Sequence, residues 1–366
     1  MNIDEKYMAL ALELAKSTKG QTSPNPLVGA IVVQNNQIVG LGAHLRAGEA
    51  HAEVYALEMA KGRTEGATIY ITLEPCSHYG RTPPCVDKVI ASGVKRAVIA
   101  TLDPNPLVAG RGITKLREAG IQVDVGLYEA ESNKMNEVFN YYIVHKLPFV
   151  TLKTATTLDG KIATIHGESQ WITGEEARAD VHLLRHQHDA ILVGVNTVLK
   201  DDPSLTTRLP NGAGRNPIRI VLDSKLRTPI NAKLVNTAEA PTWIFVNQAV
   251  KREKILPFEQ LGVRVIQTND VHQLSIPDLL NQLGKEEISS LLVEGGGEIN
   301  ASFLESGYVN KVINYLAPKI IGGNLAPSSF RGSGFEKLGE AIQLENIEIT
   351  SLGVDIKVVG YTKIQR

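Results

Sequence analysis

Apolar and polar positions recur along the chain with two periods, and the change from one to the other marks out its elements. Over residues 4–18, Tyr7, Met8, Leu10, Ala11, Leu14 and Ala15 fall near one helical face, and the glycine and proline cluster from Gly20 to Pro26 ends that helix. Two strand-like runs follow, 28–33 and 37–43, with Asn35-Asn36 between them as a hairpin turn. The pattern then predicts a helix over 52–61, a strand over 68–73 and a short helix over 85–91 that stops at Gly93. Strands over 96–101 and 121–125 flank a helix near 115–119. Strands and helices in alternation predict an α/β layered domain, a sheet with helices packed on its faces. A further helix over 129–144 ends at His145-Lys146, close to Pro148, where a domain boundary is expected. A new series begins there: strand 150–155, helix 175–186, and strands 190–193, 218–222, 242–246, 263–266 and 291–293. The last strands lie near 311–316 and 355–361. The expectation is two α/β domains, 1–147 and 148–366, without internal repeats or low-complexity tracts.

Composition narrows the class. A chain of 366 residues is long for one core, and 43% hydrophobic with 21% charged residues is ordinary for a soluble globular protein. A net charge of −1 does not support a polyanion-binding surface. The opening MNIDEKYMALALELAKS lacks the basic start and long apolar core of a signal peptide, and no apolar run approaches the ~20 residues of a membrane span. A cytoplasmic protein is expected, with neither nucleic acid nor membrane as partner.

Candidate chemistry concentrates around the two cysteines, Cys76 and Cys85. One disulfide in a large protein without a secretion signal would be unusual, and a close pair flanked by prolines suits a metal or redox role. His51-Ala52-Glu53 begins a predicted helix, Cys76 follows a predicted strand and Cys85 opens another helix. One imidazole and two thiolates are good zinc ligands that leave a fourth position for water, and helix N-termini favour thiolates. Glu53 stands beside the ligands as a proton carrier, the division of labour found in zinc deaminases. Alone, a His-x-Glu is mostly chance or a solvated helix edge. A closed structural zinc site normally takes four protein ligands, so the combination in this order points to a catalytic centre. The zinc-deaminase pattern usually closes Pro-Cys-x-x-Cys, whereas this segment reads LEPCSHYGRTPPC. The longer loop carries His78 and Arg81, which makes it a substrate-contacting loop or a polar turn around Gly80 and Pro83-Pro84.

TSPNPLVGA (22–30), HAEVYA (51–56) and LEPCSHYGRTPPC (73–85) resemble the deaminase half of the bifunctional riboflavin-biosynthesis deaminase/reductases. The resemblance runs on through LKTATTLDGKIA (152–163), SQWITG (169–174), VGVNTVLKDDPSLTTR (193–208) and VEGGG (293–297), almost end to end. It implies a cytidine-deaminase-like α/β/α domain followed by a dihydrofolate-reductase-like α/β domain. The first would hydrolyse the 2-amino group of 2,5-diamino-6-ribosylamino-4(3H)-pyrimidinone 5′-phosphate, with zinc on His51, Cys76 and Cys85 and Glu53 shuttling protons. Asn25, His44, His78, Arg81 and Asn105 match the family's deaminase pocket. Asn25 and Asn105 each precede proline, so a turn-forming role competes for both.

In the second half, Glu294-Gly295-Gly296-Gly297 follows an apolar strand and opens a predicted helix over 298–304. A triple glycine there is either a tight turn or a phosphate cradle, and it is not the Gly-x-Gly-x-x-Gly dinucleotide fingerprint. The resemblance implies NADPH, used to reduce the opened ribose of 5-amino-6-(5-phosphoribosylamino)uracil to ribityl. Its dinucleotide contacts fall on Ala155, Trp171, Thr197, Asp201, Ser224 and the segment Gly296, Gly297, Glu298, Ile299, Asn300, Ala301 and Ser302. Its substrate contacts fall on Ser169, Arg185, Leu205, Arg208 and Glu294, with Arg185 and Arg208 chemically suited to a phosphate. Taken alone, Arg185 reads as a solvated helix face and Trp171 as core packing. Lys153 and Asp201 are the ionisable groups that would assist carbonyl reduction, although Lys153 on a strand reads equally as a surface lysine.

Two other functions fit parts of the pattern. A tRNA or nucleoside deaminase explains the metal site but leaves the second domain idle, and 5% aromatic residues with a near-neutral charge do not favour a polynucleotide platform. A nucleotide-binding module with a structural zinc would hold metal and release no ammonia. The resemblance further implies a homo-oligomer.

Overall fold

The structure, a computed structural model, describes residues 2–78, 83–106, 108–212, 214–269 and 274–363. The chain forms two compact units, Met1–Lys146 and Leu147–Arg366.

The first unit runs α1 (Ile3–Lys16), β1 (Gly29–Gln34), β2 (Gln37–Ala43), α2 (Ala52–Ala60), β3 (Thr68–Ile71), α3 (Cys85–Ala91), β4 (Arg96–Ile99), α4 (Arg111–Glu118), β5 (Gln122–Val125), α5 (Glu129–Met135) and α6 (Glu137–His145). Its five strands are ordered β2-β1-β3-β4-β5, antiparallel across β1 and parallel from β3 to β5. Asn35 and Asn36, at φ 51° and 60°, make the two-residue hairpin turn that matches the right-handed twist of β1 and β2. β1 is an unbroken apolar run because both of its faces are covered. Ala30 and Val32 join the core that contains Ala52, Ala56, Val86 and Leu116, while Ile31 and Val33 pack with Tyr7, Met8 and Ala11 of α1.

The expected helical face of α1 needs one exchange: Leu12 is buried and Leu10 is exposed. The expected single helix over 129–144 is two helices, broken at Asn136 (φ −100°, ψ 19°). The Asn136 side chain is buried there and turned to the backbone of Leu27, accepting from its N–H at 2.8 Å and donating to its carbonyl at 3.0 Å. Helix α4 begins earlier than the 115–119 pattern indicates, because its first turn is built on Gly112 and Ile113 against Glu74.

The second unit adds β6 (Phe149–Thr157), α7 (Glu175–Gln187), β7 (Ala190–Gly194), α8 (Val195–Asp201), β8 (Ile218–Leu222), β9 (Thr242–Val246), α9 (Arg252–Gln260), β10 (Arg264–Gln267), α10 (Ile276–Lys285), β11 (Ser290–Val293), α11 (Gly297–Glu305), β12 (Lys311–Ala317), β13 (Leu344–Leu352) and β14 (Asp355–Thr362). Its sheet is ordered β10-β9-β8-β7-β11-β6-β12-β14-β13. All neighbours from β10 to β12 are parallel, and β14 and β13 close the edge as an antiparallel pair. Parallel strands all send their C-terminal ends to one side, where ligands bind in open α/β sheets. Helix α9 contains Pro257, which hides it from a helix-period reading, and burial of Ile255 and Phe258 holds it. β13 escapes the pattern because nearly all its residues are exposed, so no apolar face repeats. Among the described residues no helix is long and apolar enough to cross a membrane.

Candidate active sites

The first site is assembled by close packing of α2 on β2. A Cβ at Gly40 would stand 2.0 Å from the Ala56 carbonyl oxygen, and one at Gly42 would stand 2.1 Å from that of Ala52. Only glycine lets the helix lie this near the strand. His51 is the N-cap of α2, and its ring makes no capping bond, which leaves it free to face the thiols. Cys76 lies on the segment after β3, and Cys85 is the first residue of α3.

His51 Nδ1 lies 3.0 Å from Cys85 Sγ and 3.6 Å from Cys76 Sγ, and the three candidate ligand atoms all lie within 4.8 Å of one another. Tetrahedral zinc with bonds of about 2.3 Å to sulfur and 2.0 Å to nitrogen spaces its ligands roughly 3.5–3.8 Å apart, so modest motions admit the ion. The hydrogen bond between the thiols holds Cys76 well below the usual thiol value and pushes Cys85 above it. The Cys85 backbone N–H donates to Cys76 Sγ at 3.2 Å, further favouring thiolate there. Glu53, 3% exposed, has its Oε2 buried without a hydrogen-bond partner, and burial pushes its carboxyl up to about 7. A carboxyl poised near neutrality beside an acceptor-rich centre is suited to both taking and returning a proton.

His44 and His51 meet edge to face with centroids 5.1 Å apart. Nδ1 of His44 lies 3.1 Å from the Ala50 carbonyl, and its Nε2 lies 3.1 Å from Asn25 Nδ2. The carbonyl requires a proton on Nδ1, so Nε2 accepts from the amide and the ring is neutral; burial also lowers its pKa. Asn25 is therefore more than a turn residue. His78 keeps a buried Nδ1 with no hydrogen-bond partner. The Asn105 N–H donates to Asp103 Oδ1 at 2.8 Å, a turn contact that leaves the side chain's role unassigned. Arg81 lies outside the described residues.

In the second unit a cavity of about 1380 Å³ opens at the C-terminal ends of β7, β8 and β11. Its walls carry Lys153, Ala155, Ser169, Trp171, Arg185, Thr197, Asp201, Leu205, Arg208, Ser224 and Glu294, together with Gly296, Gly297, Glu298, Ile299, Asn300 and Ser302. Ala301 is buried and does not line it. Gly296 is the N-cap of α11, and a Cβ there would meet nothing within 4 Å, so the backbone at this end of the helix borders open space. Asn300 Oδ1 is buried and unpartnered in the same turn. Unsatisfied N–H groups at a helix N-terminus with an open approach suit a phosphate.

Arg185 is not on a solvated face. It forms a bidentate pair with Glu294, at 2.9 and 3.0 Å, and donates to the Thr206 carbonyl at 3.1 Å. Lys153 Nζ stands 3.7 Å from Glu294, and all three side chains are at most 14% exposed. Burial pushes the Glu294 carboxyl up, but Arg185 and Lys153 outweigh it and hold the group near about 2. Burial lowers the Lys153 ammonium while Glu294 pulls it back. Trp171 is 63% exposed under the Arg178 guanidinium, with 4.8 Å between them, so it is not core packing.

Several residues that sequence reasoning passed over join these sites. His182 lines the cavity and accepts from the Arg208 N–H at 3.3 Å. Behind Lys153, Tyr315 donates to Asp180 at 2.5 Å, and Asp180 also receives Lys357 at 2.6 Å. Glu74, beside Pro75-Cys76, is 3% exposed, a burial that a carboxylate does not accept without strong partners. It lies three residues beyond β3, and no partner residue in the sequence marks it.

Residues 1–101 match the cytidine and deoxycytidylate deaminase zinc-binding region, which sets the class of the first unit as a zinc-binding deaminase. Residues 148–358 match the RibD C-terminal domain. The riboflavin biosynthesis protein RibD of Bacillus amyloliquefaciens is 48% identical over 361 residues, 99% of this chain and 97% of that protein. Among solved structures, Acinetobacter baumannii RibD superposes with a TM-score of 0.88 at 36% identity, covering 99% of each chain. A diaminohydroxyphosphoribosylaminopyrimidine deaminase/5-amino-6-(5-phosphoribosylamino)uracil reductase from Thermotoga maritima gives 0.86 at 36% identity, again over 99% of each. The chain belongs to the bifunctional deaminase/reductase family of riboflavin biosynthesis. It joins a cytidine-deaminase-like α/β unit to a RibD-type reductase unit.

Proposed function

We propose that residues 1–147 deaminate 2,5-diamino-6-ribosylamino-4(3H)-pyrimidinone 5′-phosphate and that residues 148–366 reduce the deaminated product with NADPH. The observation that carries the first half is the His51, Cys76 and Cys85 cluster beside the buried carboxyl of Glu53. His51, Cys76 and Cys85 would hold zinc, which would supply an activated water at neutral pH. Glu53, buried beside those three side chains, would hold and pass on the proton that deamination moves, a role its near-neutral carboxyl supports. Asn25, His44, His78, Arg81 and Asn105 contact the pyrimidine ribotide, with the neutral His44–Asn25 pair fixing which hydrogen-bonding groups the ring edge meets.

The second half rests on the cavity. The backbone at Gly296–Ser302 receives a cofactor phosphate, while Ala155, Trp171, Thr197, Asp201 and Ser224 line the remaining dinucleotide path. NADPH supplies the hydride, and the protein supplies orientation and electrostatics. Ser169, Leu205 and Arg208 hold the sugar phosphate. Arg185 reaches the same wall with part of its donor set committed to Glu294, so it orders Glu294 as well as presenting charge. Lys153 is the proton donor best placed by its burial beside Glu294, and Asp201 at the end of α8 is the other candidate.

A second copy of the chain is the partner proposed for the exposed edge strand β13. Ile347 and Ile349 on it are 49% and 69% exposed, and Val354 in the adjoining turn is 73% exposed. Light scattering on the intact chain tests this. A cytoplasmic location, where thiol ligands stay reduced, suits this chemistry.

The deciding experiment is a coupled assay on the diaminopyrimidine phosphate. Ammonia should appear without NADPH, and NADPH oxidation should require prior deamination. Glu53→Gln should stop the first step and spare reduction of supplied deaminated product. Loss of both steps in a folded Glu53→Gln protein would sink the two-site reading. A wild-type hydride-transfer rate in Lys153→Ala would remove Lys153 from the mechanism.

A further inference from the structure

The segment that delivers Cys76 to the metal centre is held by a residue two positions before it. Glu74 has its backbone N–H bonded to the Thr101 carbonyl at 3.0 Å, which leaves its side chain in the interior between β3 and α4. No cation pairs with it among the described residues. Its carboxylate instead collects backbone donors: Oε2 accepts from Asp103 N–H at 3.2 Å and Gly110 N–H at 2.9 Å. Oε1 accepts from Gly112 N–H at 2.9 Å and Ile113 N–H at 3.3 Å. Gly110 is the N-cap of α4, so three of these donors belong to the orphaned N–H groups of that helix's first turn. The helix dipole there favours the negative charge, which accounts for a buried anion without a counter-cation.

The fourth donor matters most for function. Asp103 is tied to Glu74 through its N–H, and its own Oδ1 then fixes Asn105 through the Asn105 N–H. A continuous chain of bonds therefore runs from the ligand Cys76, through Pro75 and Glu74, to the Asp103–Asn105 turn. The approach is tight on the other side as well. A Cβ at Gly112 would stand 2.3 Å from the Pro75 carbonyl oxygen and 3.1 Å from Glu74 Oε1, so the α4 terminus and the Cys76 segment are pressed together.

We infer that Glu74 is the positioning residue that sets the distance between the metal-ligand segment and the Asp103–Asn105 turn, and thereby the fit of the pyrimidine ribotide at the metal. The inference rests on the proposed deamination. Glu74 touches neither metal nor substrate. Its removal should loosen a separation while the ligands themselves stay in place.

The test is Glu74→Gln in the full-length zinc-loaded protein. The amide keeps the shape but turns an NH2 group toward two of the four N–H donors. The expected result is a KM for deamination raised at least tenfold, with kcat changed less than threefold. Zinc content should stay at one per chain, but zinc loss to a competing chelator should be faster. Reduction of supplied deaminated product serves as the folding control and should be unchanged. Gly112→Ala, which leaves Glu74 intact but forces Pro75 and α4 apart, should produce the same split, and it stands in if Glu74→Gln does not fold. Wild-type KM and wild-type chelator kinetics in either folded variant would overturn the inference. A fall in kcat with unchanged KM would also overturn it, since that pattern marks a group acting on the reacting atoms. If the wild-type protein releases no ammonia, the failure lies with the proposed deamination and is recognised before any variant is made.

Discussion

Arg185 and Glu294 meet as a two-pronged pair in the cavity wall, Nε to Oε1 at 2.9 Å and Nη2 to Oε2 at 3.0 Å. Side chains from the last turns of α7 and from the residue after β11 are thereby locked together, with Lys153 3.7 Å away on β6. Removing one partner of a buried pair strands the other charge, at a cost of about 3–5 kcal/mol. Arg185→Met should lower the unfolding free energy of the second unit by at most that order, since Lys153 still faces Glu294. Replacing both residues by methionine should cost less than the sum of the single changes. Equal melting of Arg185→Met and wild type in differential scanning calorimetry would show that the pair is not carrying this load.

A chelator strong enough to strip zinc should abolish ammonia release and leave reduction of supplied deaminated product at its wild-type rate. Ammonia release should return on adding zinc back. The discriminating measurement is the ratio of the two rates in one sample, because a general loss of folding lowers both.

Asn136 separates α5 from α6 and satisfies both backbone groups of Leu27. Asn136→Ala leaves a buried N–H and carbonyl unpaired, which should destabilise the first unit by about 1–3 kcal/mol. Urea unfolding monitored with unit-specific probes would read this. A joined α5–α6 helix with no loss of stability would refute it.

His182 bears on pH. Burial, followed by Arg185 and Arg208, lowers its pKa from the usual 6.5 to about 4. Its folded value lies below the unfolded one, so the neutral ring contributes stability above pH 6.5. That contribution is lost as pH falls from 6.5 through 4. The same protonation turns Nδ1 from acceptor to donor and breaks the bond from the Arg208 N–H. Stability of the second unit should fall over this window in the wild type and fall less in His182→Gln. Parallel titrations of midpoint against pH for the two proteins would decide.

Most strands of both sheets were legible because their residues are buried on one or both faces and keep a period. The reading failed where tertiary contacts set the local structure. Asn136 interrupts a helical pattern to bond Leu27 far away in sequence, and Pro257 sits inside a helix held by Ile255 and Phe258. β13 carries no buried face to read. The candidate metal cluster was legible because histidine and two lone cysteines are rare in such order. Glu74 was not, because a carboxylate that bonds only to backbone N–H groups leaves no partner residue in the sequence to signal it.

The chain contains two tryptophans, Trp171 at the cavity wall and Trp243 on β9. An exposed indole in the wall of the cavity proposed to take the dinucleotide is a built-in optical reporter. Reduced nicotinamide accepts excitation energy from a nearby indole, so cofactor arrival should dim Trp171 emission directly, without a dye or a coupled reaction. In a Trp243→Phe background the remaining signal would come from the cavity alone. Occupancy of the reductase half can then be followed in real time while the deaminase half is turning over.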